Sequence, residues 1–306
     1  MKKNTEKDLS TVETVQHKPV LVAEVLQLMQ VKPEGVYLDV TFGGGGHARA
    51  ILNASEKVKL IGFDWDKKSL ALMTPSFVTE FGDKIQLLWG NFAHLYKLAK
   101  EHKLPKVDGI LADFGTSQHQ IFNYDGFSFN SKTPLDMRMS KSHSFVTAAD
   151  VVNTFSKERL NEILFELGEE TAARTIVDAI LSYRTYHKIL FAHQLAEIVS
   201  KAKGGGRGRT NPATKTFQAL RMYVNHELEN IRSFLATAPS LLAPKGKLLC
   251  ISFHSLEDRL VKDFFREQED LLKLKSLSKK PLKATAEEQK ANPSSRSAKL
   301  RGAELL

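Results

Sequence analysis

The stretch Val36-Tyr-Leu-Asp39-Val-Thr-Phe-Gly43-Gly-Gly-Gly46-His47 decides how the rest of the chain is read. Five residues of strand character run into four consecutive glycines, and a helical pattern follows from His47 to Ala54. Strand, tight turn and helix make the first half of a βαβ unit. Glycine there lets the backbone take positive φ and lets a ligand approach main-chain N–H groups at the helix N-terminus. Gly43-x-Gly45-x-x-Ala48 also fits the dinucleotide fingerprint, whose acid falls about 20 residues on, at the end of the next strand. Asp64 closes Leu60-Ile-Gly-Phe-Asp64 and stands there. A nucleoside-bearing ligand is expected.

Asp39 narrows the choice of ligand. It lies just before the glycines, where a dinucleotide would set its pyrophosphate. A carboxylate that close to a phosphate repels it in a partly desolvated site. The same carboxylate suits a ligand with an ammonium and a sulfonium, namely S-adenosylmethionine. Asp64 would hold ribose hydroxyls in either case. A glycine-rich turn without a ligand is the plainer reading, but strand, turn, helix and downstream acid agree against it.

The remaining composition sets bounds. A chain of 306 residues is one large domain or a core with an insertion, and 42% hydrophobic content is enough to build that core. A net charge of +9 and a pI near 9.4 imply a polyanionic partner, most simply nucleic acid; charge kept for solubility is the blander account. Cys250 is the only cysteine, so neither an internal disulfide nor a thiolate metal site is expected. The ten histidines follow no ligand spacing, so no metal is expected. Residues 1–16 are polar, lack the apolar core of a signal peptide and read as a disordered leader. No apolar run approaches membrane-spanning length. A cytoplasmic protein without a membrane partner is expected; whether it acts singly or as a homodimer stays open.

Taken in order, the pattern opens a helix at His17-Lys18-Pro19, with Val20, Leu21, Val25, Leu28 and Met29 on one side. After Asp64 a short helix spans Lys67 to Met73 and ends near Pro75. A third strand, Ile85 to Trp89, leads to Phe92 at its carboxyl end, where open α/β sheets place ligands; Phe92 is a candidate to pack on an adenine ring, or a core phenylalanine. A helix from His94 to His102 leads to a fourth strand that ends a nearly all-apolar run at Asp113, as expected of a central parallel strand. Asp113 points into the ligand crevice or caps a turn.

Gly115 to Ser140 has neither helical nor alternating period, yet it holds Phe122, Tyr124, Phe127, Phe129 and Pro134-Leu-Asp136-Met-Arg138-Met139. Long irregular stretches of this kind are usually functional, and this one reads as a substrate-facing lid. From Ser144 to Lys203 the pattern is purely helical, with Gly168 read as a C-cap. Lys203-Gly-Gly-Gly-Arg207-Gly-Arg209 is a basic linker, suited to phosphate contact or merely solvated. Asn211 and Pro212 start one long helix whose apolar positions run from Phe217 to Leu235. A fifth strand spans Lys247 to Phe253. His254 follows, and Ser255-x-x-Asp258 reads as a capping box. Beyond Leu274 a lysine-rich segment reads as a mobile loop, and Ala298 to Arg301 as an edge strand.

Several of these stretches together resemble one family, the ribosomal small-subunit RNA cytosine-N4 methyltransferases known as RsmH or MraW. They are His17-x-Pro19-Val-Leu21, Asp39-x-Thr41-x-Gly43-Gly-Gly-Gly-His47, Gly126-Phe-Ser-Phe129 and Pro134-Leu-Asp-Met-Arg-Met139. Later come Pro212-Ala-Thr-Lys-Thr-Phe-Gln-Ala-Leu-Arg221, Val224-Asn-x-Glu-Leu228 and Ile251-Ser-Phe-His-Ser-Leu-Glu-Asp-Arg259. The resemblance implies an α/β fold: a class I (Rossmann-like) methyltransferase core with a mostly parallel sheet, spanning 17–122 and 211–306. An all-α substrate-recognition domain, 123–210, is inserted in it. It implies S-adenosylmethionine as donor and a cytidine in the decoding region of 16S rRNA, in the small ribosomal subunit, as acceptor. The family's donor-binding residues fall on Gly45, Gly46, His47, Asp64, Phe92, Asp113 and Gln120, beside Asp39 from the residue reading. The chain departs from the family pattern at Gln118, His119, Asp125 and Thr133.

Methylating an exocyclic amine is an in-line displacement in which the protein chiefly aligns the partners. A carboxylate or carbonyl that accepts the amine N–H favours its nucleophilic form and can take the proton. Asp113 and the carbonyls after it are the first candidates, Asp136 the second and His254 the third. Arg138, Arg207, Arg209, Lys215, Arg221 and His254 are candidates to meet RNA. Methylation at cytosine C5 needs a cysteine nucleophile, and Cys250 sits mid-strand, where a thiol is inert. Three competing functions are a DNA amino-methyltransferase, a dinucleotide enzyme and a non-enzymatic RNA-binding protein. The first would carry a Pro-Pro-aromatic motif where this chain has Asp113-Phe-Gly-Thr, and Asp39 opposes the second.

Overall fold

The computed structural model describes residues 18–115, 124–141, 144–205 and 211–306. The leader, Phe122, Gln118, His119, Gln120, Arg207 and Arg209 lie outside the described residues. Among the described residues eight strands form one sheet: β1 Val36–Asp39, β2 Lys59–Asp64, β3 Ile85–Trp89, β4 Val107–Asp113, β5 Leu242–Ser252, β6 Leu274–Ser276, β7 Leu282–Lys283 and β8 Lys299–Leu305. Their order is β3-β2-β1-β4-β5-β8-β6, with β7 also on β8. β1 to β5 are parallel, and β8 is antiparallel to its neighbours. The mostly parallel, Rossmann-like core is therefore present.

The near-continuous apolar runs have the expected cause. Tyr37, Leu111, Leu249 and Ile251 belong to the buried cluster on one face of the sheet. Leu38, Ile110, Ala112, Leu248 and Cys250, which alternate with them, belong to the cluster on the other face. A strand covered on both sides has no polar side to show. The chain runs from β1 outward to β3, then returns to β4 on the other flank of β1. This reversal sets the carboxyl ends of β1 and β4 side by side, the usual ligand crevice of such a sheet.

Between β4 and β5 the described residues form helices, with one isolated bridge between Pro134 and Phe191. These helices share a third apolar cluster that continues through Phe217, Leu220 and Val224, so the Thr214–Asn225 helix packs with them. The expected long helix from Pro212 is in fact two. His226 takes a left-handed conformation (φ 52°), and a second helix, Glu227–Thr237, departs from there. The cause lies just before the break: the Asn225 side chain is buried and serves Met139 N–H and the Met137 carbonyl.

Other expectations need correction. The helix after Asp64 runs from Lys67 to Phe81, straight through Pro75. Asp66 caps its start, and buried Leu70, Phe77 and Phe81 hold both halves against the core. Gly168 is not a left-handed cap; a Cβ there would lie 2.6 Å from the Leu164 carbonyl oxygen and 2.9 Å from that of Lys215. The segment beyond Leu274 is built of β6, β7 and an Ala286–Ala291 helix. The presumed edge strand is β8, interior to the sheet, and its basic residues are neutralised by Asp258, which pairs with both Lys299 and Arg301.

Candidate active site

The glycine turn and the ends of β1, β2 and β4 wall a cavity lined by Pro19, Gly43, Gly44, Gly46, His47, Asp64, Phe92, Asp113, Phe114 and Glu257, among others. Asp64 fixes the turn: its Oδ2 accepts the Gly43 N–H at 2.6 Å and its Oδ1 the Asp66 N–H at 2.8 Å. Asp66 caps the following helix and also receives the Tyr124 hydroxyl, which ties the irregular segment to the rim of the cavity. Phe92 presents an edge-packed ring, held by Phe114 and Phe234.

Two of the sequence-chosen residues stand behind the wall rather than on it. Asp39 is buried, and its carboxylate accepts the Thr41 N–H at 3.1 Å; Asp39 does not line the cavity. The Thr41 hydroxyl in turn accepts the Asp113 N–H at 2.7 Å, so Asp39 braces the β1 and β4 termini. Gly45 is likewise set back. A Cβ there would fall 2.2 Å from the Phe77 ring, so its absence serves packing at φ +72°. Gly46 sits against Pro19.

The crevice is rich in buried carboxylates. Burial pushes Asp39 up to about 7 and Asp64 up to about 6, partly offset by the N–H groups they accept. Burial, and then the neighbouring charges of Asp39 and Glu257, hold Asp113 well above the usual range, and its Oδ1 is buried without a hydrogen-bond partner among the described residues. A site with this much unspent negative potential favours a cation.

A second cavity adjoins the first. Val20, Phe127, Ser128, Phe129, Thr214, Phe217, Gln218, Arg221 and His254 line it, and it shares Gly115, Phe253 and Glu257 with the first. Its wall is aromatic, with Arg221 and Glu257 as charged groups. Arg221 donates to both oxygens of Glu227. Glu257 Oε2 accepts the Phe253 N–H at 2.8 Å, and His254 Nε2 lies 3.2 Å from Oε1. The histidines thus do not stay scattered: His254 groups with Glu227 and Glu257, and the Arg221 guanidinium pairs with Glu227. Burial opposes the charge on Glu257, but His254, the Phe253 N–H and Arg221 outweigh it and hold that carboxyl below its usual range.

The remaining candidates are placed elsewhere. Asp136 is clasped by Arg138 through both oxygens and lines neither cavity, so its carboxylate is spent on structure; Arg138 is turned inward by the same pair and by the Ser144 carbonyl. Lys215 donates to the Glu169 carbonyl, and Cys250 is buried with its thiol pushed up by desolvation. The helix after β5 is capped by His254, whose Nδ1 accepts the Glu257 N–H, rather than by the Ser255–Asp258 pair. Sequence reasoning misses Glu257 and Glu227. The legible signal for Glu257 is an acid three residues after His254, one register away from the Ser255–Asp258 spacing.

The profile of the MraW methylase family matches residues 14–306. The chain is 44% identical to the ribosomal RNA small subunit methyltransferase H of Endomicrobium trichonymphae, covering 94% of this chain and 98% of that one. It is 42% identical to the protein of the same name from Syntrophotalea carbinolica, covering 97% and 100%. Among solved structures it is similar to an rRNA methylase from Streptococcus thermophilus, at 11% identity and a TM-score of 0.42, covering 94% and 98%.

Proposed function

The chain belongs to the MraW methylase family, and from that premise we propose that it methylates the N4 amine of a cytidine in the decoding region of 16S rRNA. The donor is S-adenosylmethionine, which supplies a methyl group activated on a sulfonium. The observation that carries this reading is the pair of cavities meeting at Gly115, Phe253 and Glu257, one acidic and built on a glycine turn, the other aromatic.

On the donor side Asp64 would take the ribose hydroxyls and Phe92 the adenine ring, with Gly46 and His47 at the helix N-terminus. The carboxyls of Asp64 and Asp113 on the cavity wall, with Asp39 behind it, are raised by burial, and a cationic donor would favour their ionised forms where a dinucleotide's phosphates would oppose them. On the acceptor side Phe127, Phe129, Phe217 and Phe253 offer ring faces and edges for one unstacked base, the usual mode of single-stranded RNA recognition. Acceptance at nitrogen fits the one cysteine: Cys250 is buried in the apolar cluster on one face of the sheet and cannot serve as the nucleophile that C5 chemistry needs. The helical unit between β4 and β5 is read as the part that recognises the small ribosomal subunit, in the cytoplasm. No helix among the described residues is long and apolar enough to cross a membrane.

The test is label transfer. Purified protein, methyl-labelled donor and undermethylated small subunits are incubated, and the RNA is digested to nucleosides. Label in N4-methylcytidine is expected; label in 5-methylcytidine, or none, overturns the reading.

A further inference from the structure

The first cavity is rimmed by four carboxylates, Asp64, Asp113, Glu227 and Glu257. The second has one among the described residues, Glu257. A group that meets an acceptor amine while a methyl donor occupies the first cavity must face both spaces, and Glu257 is the carboxylate that does. It is also held still. The Phe253 N–H fixes Oε2 and His254 stands beside Oε1, so the carboxylate cannot swing away from the shared wall. The other candidates lack this placement: Asp113 faces the first cavity alone, Asp136 is consumed by Arg138, and Glu227 has both oxygens on Arg221.

We propose that Glu257 is the catalytic residue on the acceptor side, accepting an N–H of the exocyclic amine and thereby selecting cytidine over uridine. This rests on the function proposed above and names the residue that performs its acceptor half. In the transfer, the amine lone pair forms the new bond to the methyl carbon, and the carbon–sulfur pair returns to sulfur as a neutral thioether. The extra proton on nitrogen passes to the Glu257 carboxylate and on to water. An acceptor-only carboxylate is matched to an amine and mismatched to a carbonyl, so uridine, which presents O4 at that position, is repelled. Such a site rejects the wrong partner by leaving buried polar groups unpaired.

The test uses the full chain and two RNA fragments that differ only in cytidine or uridine at the target, with binding measured without methyl donor. Wild type should prefer the cytidine fragment by about tenfold or more, the scale of one hydrogen bond to a charged group. Glu257→Gln places an amide that can donate to O4, and the preference should collapse toward unity in a protein whose melting curve shows that it is folded. With saturating donor its single-turnover rate should fall by about 100-fold, the low end for a lost general base. Glu257→Asp keeps an acceptor-only group and should keep the preference for cytidine. Undiminished preference in a folded Glu257→Gln protein, or lost preference in a folded Glu257→Asp protein, overturns the assignment. Wild-type protein that transfers no label overturns the function proposed above instead, so the two failures are distinguishable.

Discussion

The Asp113 carboxylate lies 3.7 Å from Nδ1 of His47, and the far nitrogen of that ring, Nε2, is 2.8 Å from the Val20 carbonyl oxygen. A carbonyl can only accept, so Nε2 carries a hydrogen and Nδ1 is the ring nitrogen turned toward Asp113. Burial, and then the charges of Asp39 and Glu257, push the Asp113 carboxyl upward. Asp113 is thus pushed up while Glu257, on the same cavity wall, is held down by His254, the Phe253 N–H and Arg221. Two carboxylates whose surroundings drive them apart can take opposite parts in one reaction. The same contact joins the Pro19–Leu21 segment to the end of β4.

Asp64 is the first residue to change. Asp64→Asn removes the charge and disturbs two N–H acceptances, at Gly43 and Asp66. Calorimetric affinity for S-adenosylmethionine should fall by about tenfold or more, the scale of a charge-assisted hydrogen bond. Unchanged affinity would remove Asp64 from the ribose.

The buried acids predict a pH signature. Asp39 and Asp64 titrate at about 7 and about 6, above the ordinary carboxylate value of 3.8. The folded protein therefore holds protons that the unfolded chain has released. Their contribution to stability is full below the unfolded value and is lost as pH rises through the folded ones. The ligand-free melting temperature should fall between about pH 4 and about pH 7, and a cationic donor, which favours the ionised acids, should bind more tightly over the same range. Melting curves with and without donor check this: the gap should widen as pH rises. A gap that narrows would mean that the donor does not sit against Asp64, with Asp39 behind it.

How far the sequence reveals this arrangement depends on the range of the forces involved. The glycine turn, Asp64 and Asp113 are legible because strand, turn and acid are set by local period and by where a parallel strand ends. Asp39 stands out as an acid at the right place, but its turn toward Thr41 depends on a contact with β4 that no spacing encodes. The run through Pro75, the break at His226 and the burial of β8 are all tertiary overrides: Phe77, Asn225 and Asp258 each supply what the local pattern lacks. The spacing from His254 marks Glu257 as an acid just past a strand end, but not its place between two cavities, which are built from segments more than 100 residues apart.

The C-terminal segment clamps the cleft. Asn292 is buried and donates to the Lys18 carbonyl at 3.0 Å, and Glu288 accepts the Leu21 N–H at 2.8 Å. Between these anchors Pro19 lines the first cavity and Val20 holds His47. Asn292→Ala should cost about 1–3 kcal/mol of stability by stranding buried polar groups, and should weaken donor binding several-fold. Loss of stability with donor affinity intact would make the clamp a scaffold only.

The glycines separate packing from ligand contact. At Gly45 an added Cβ meets the Phe77 ring at 2.2 Å and Phe42 at 2.8 Å, and the backbone is left-handed. At Gly43 the backbone is also left-handed (φ +52°), but the nearest atom stands 3.7 Å away. Both alanine variants carry the cost of positive φ, about 1 kcal/mol, and Gly45→Ala adds an overpacking cost of about 1–3 kcal/mol. Gly43 lines the first cavity and Gly45 does not. Denaturant unfolding should therefore show Gly45→Ala as clearly the less stable protein. Gly43→Ala should lose only the backbone cost of about 1 kcal/mol and should lose donor affinity as well, because Gly43 lines the cavity. If both variants lost stability equally, the contact with Phe77 would not be what requires glycine at position 45.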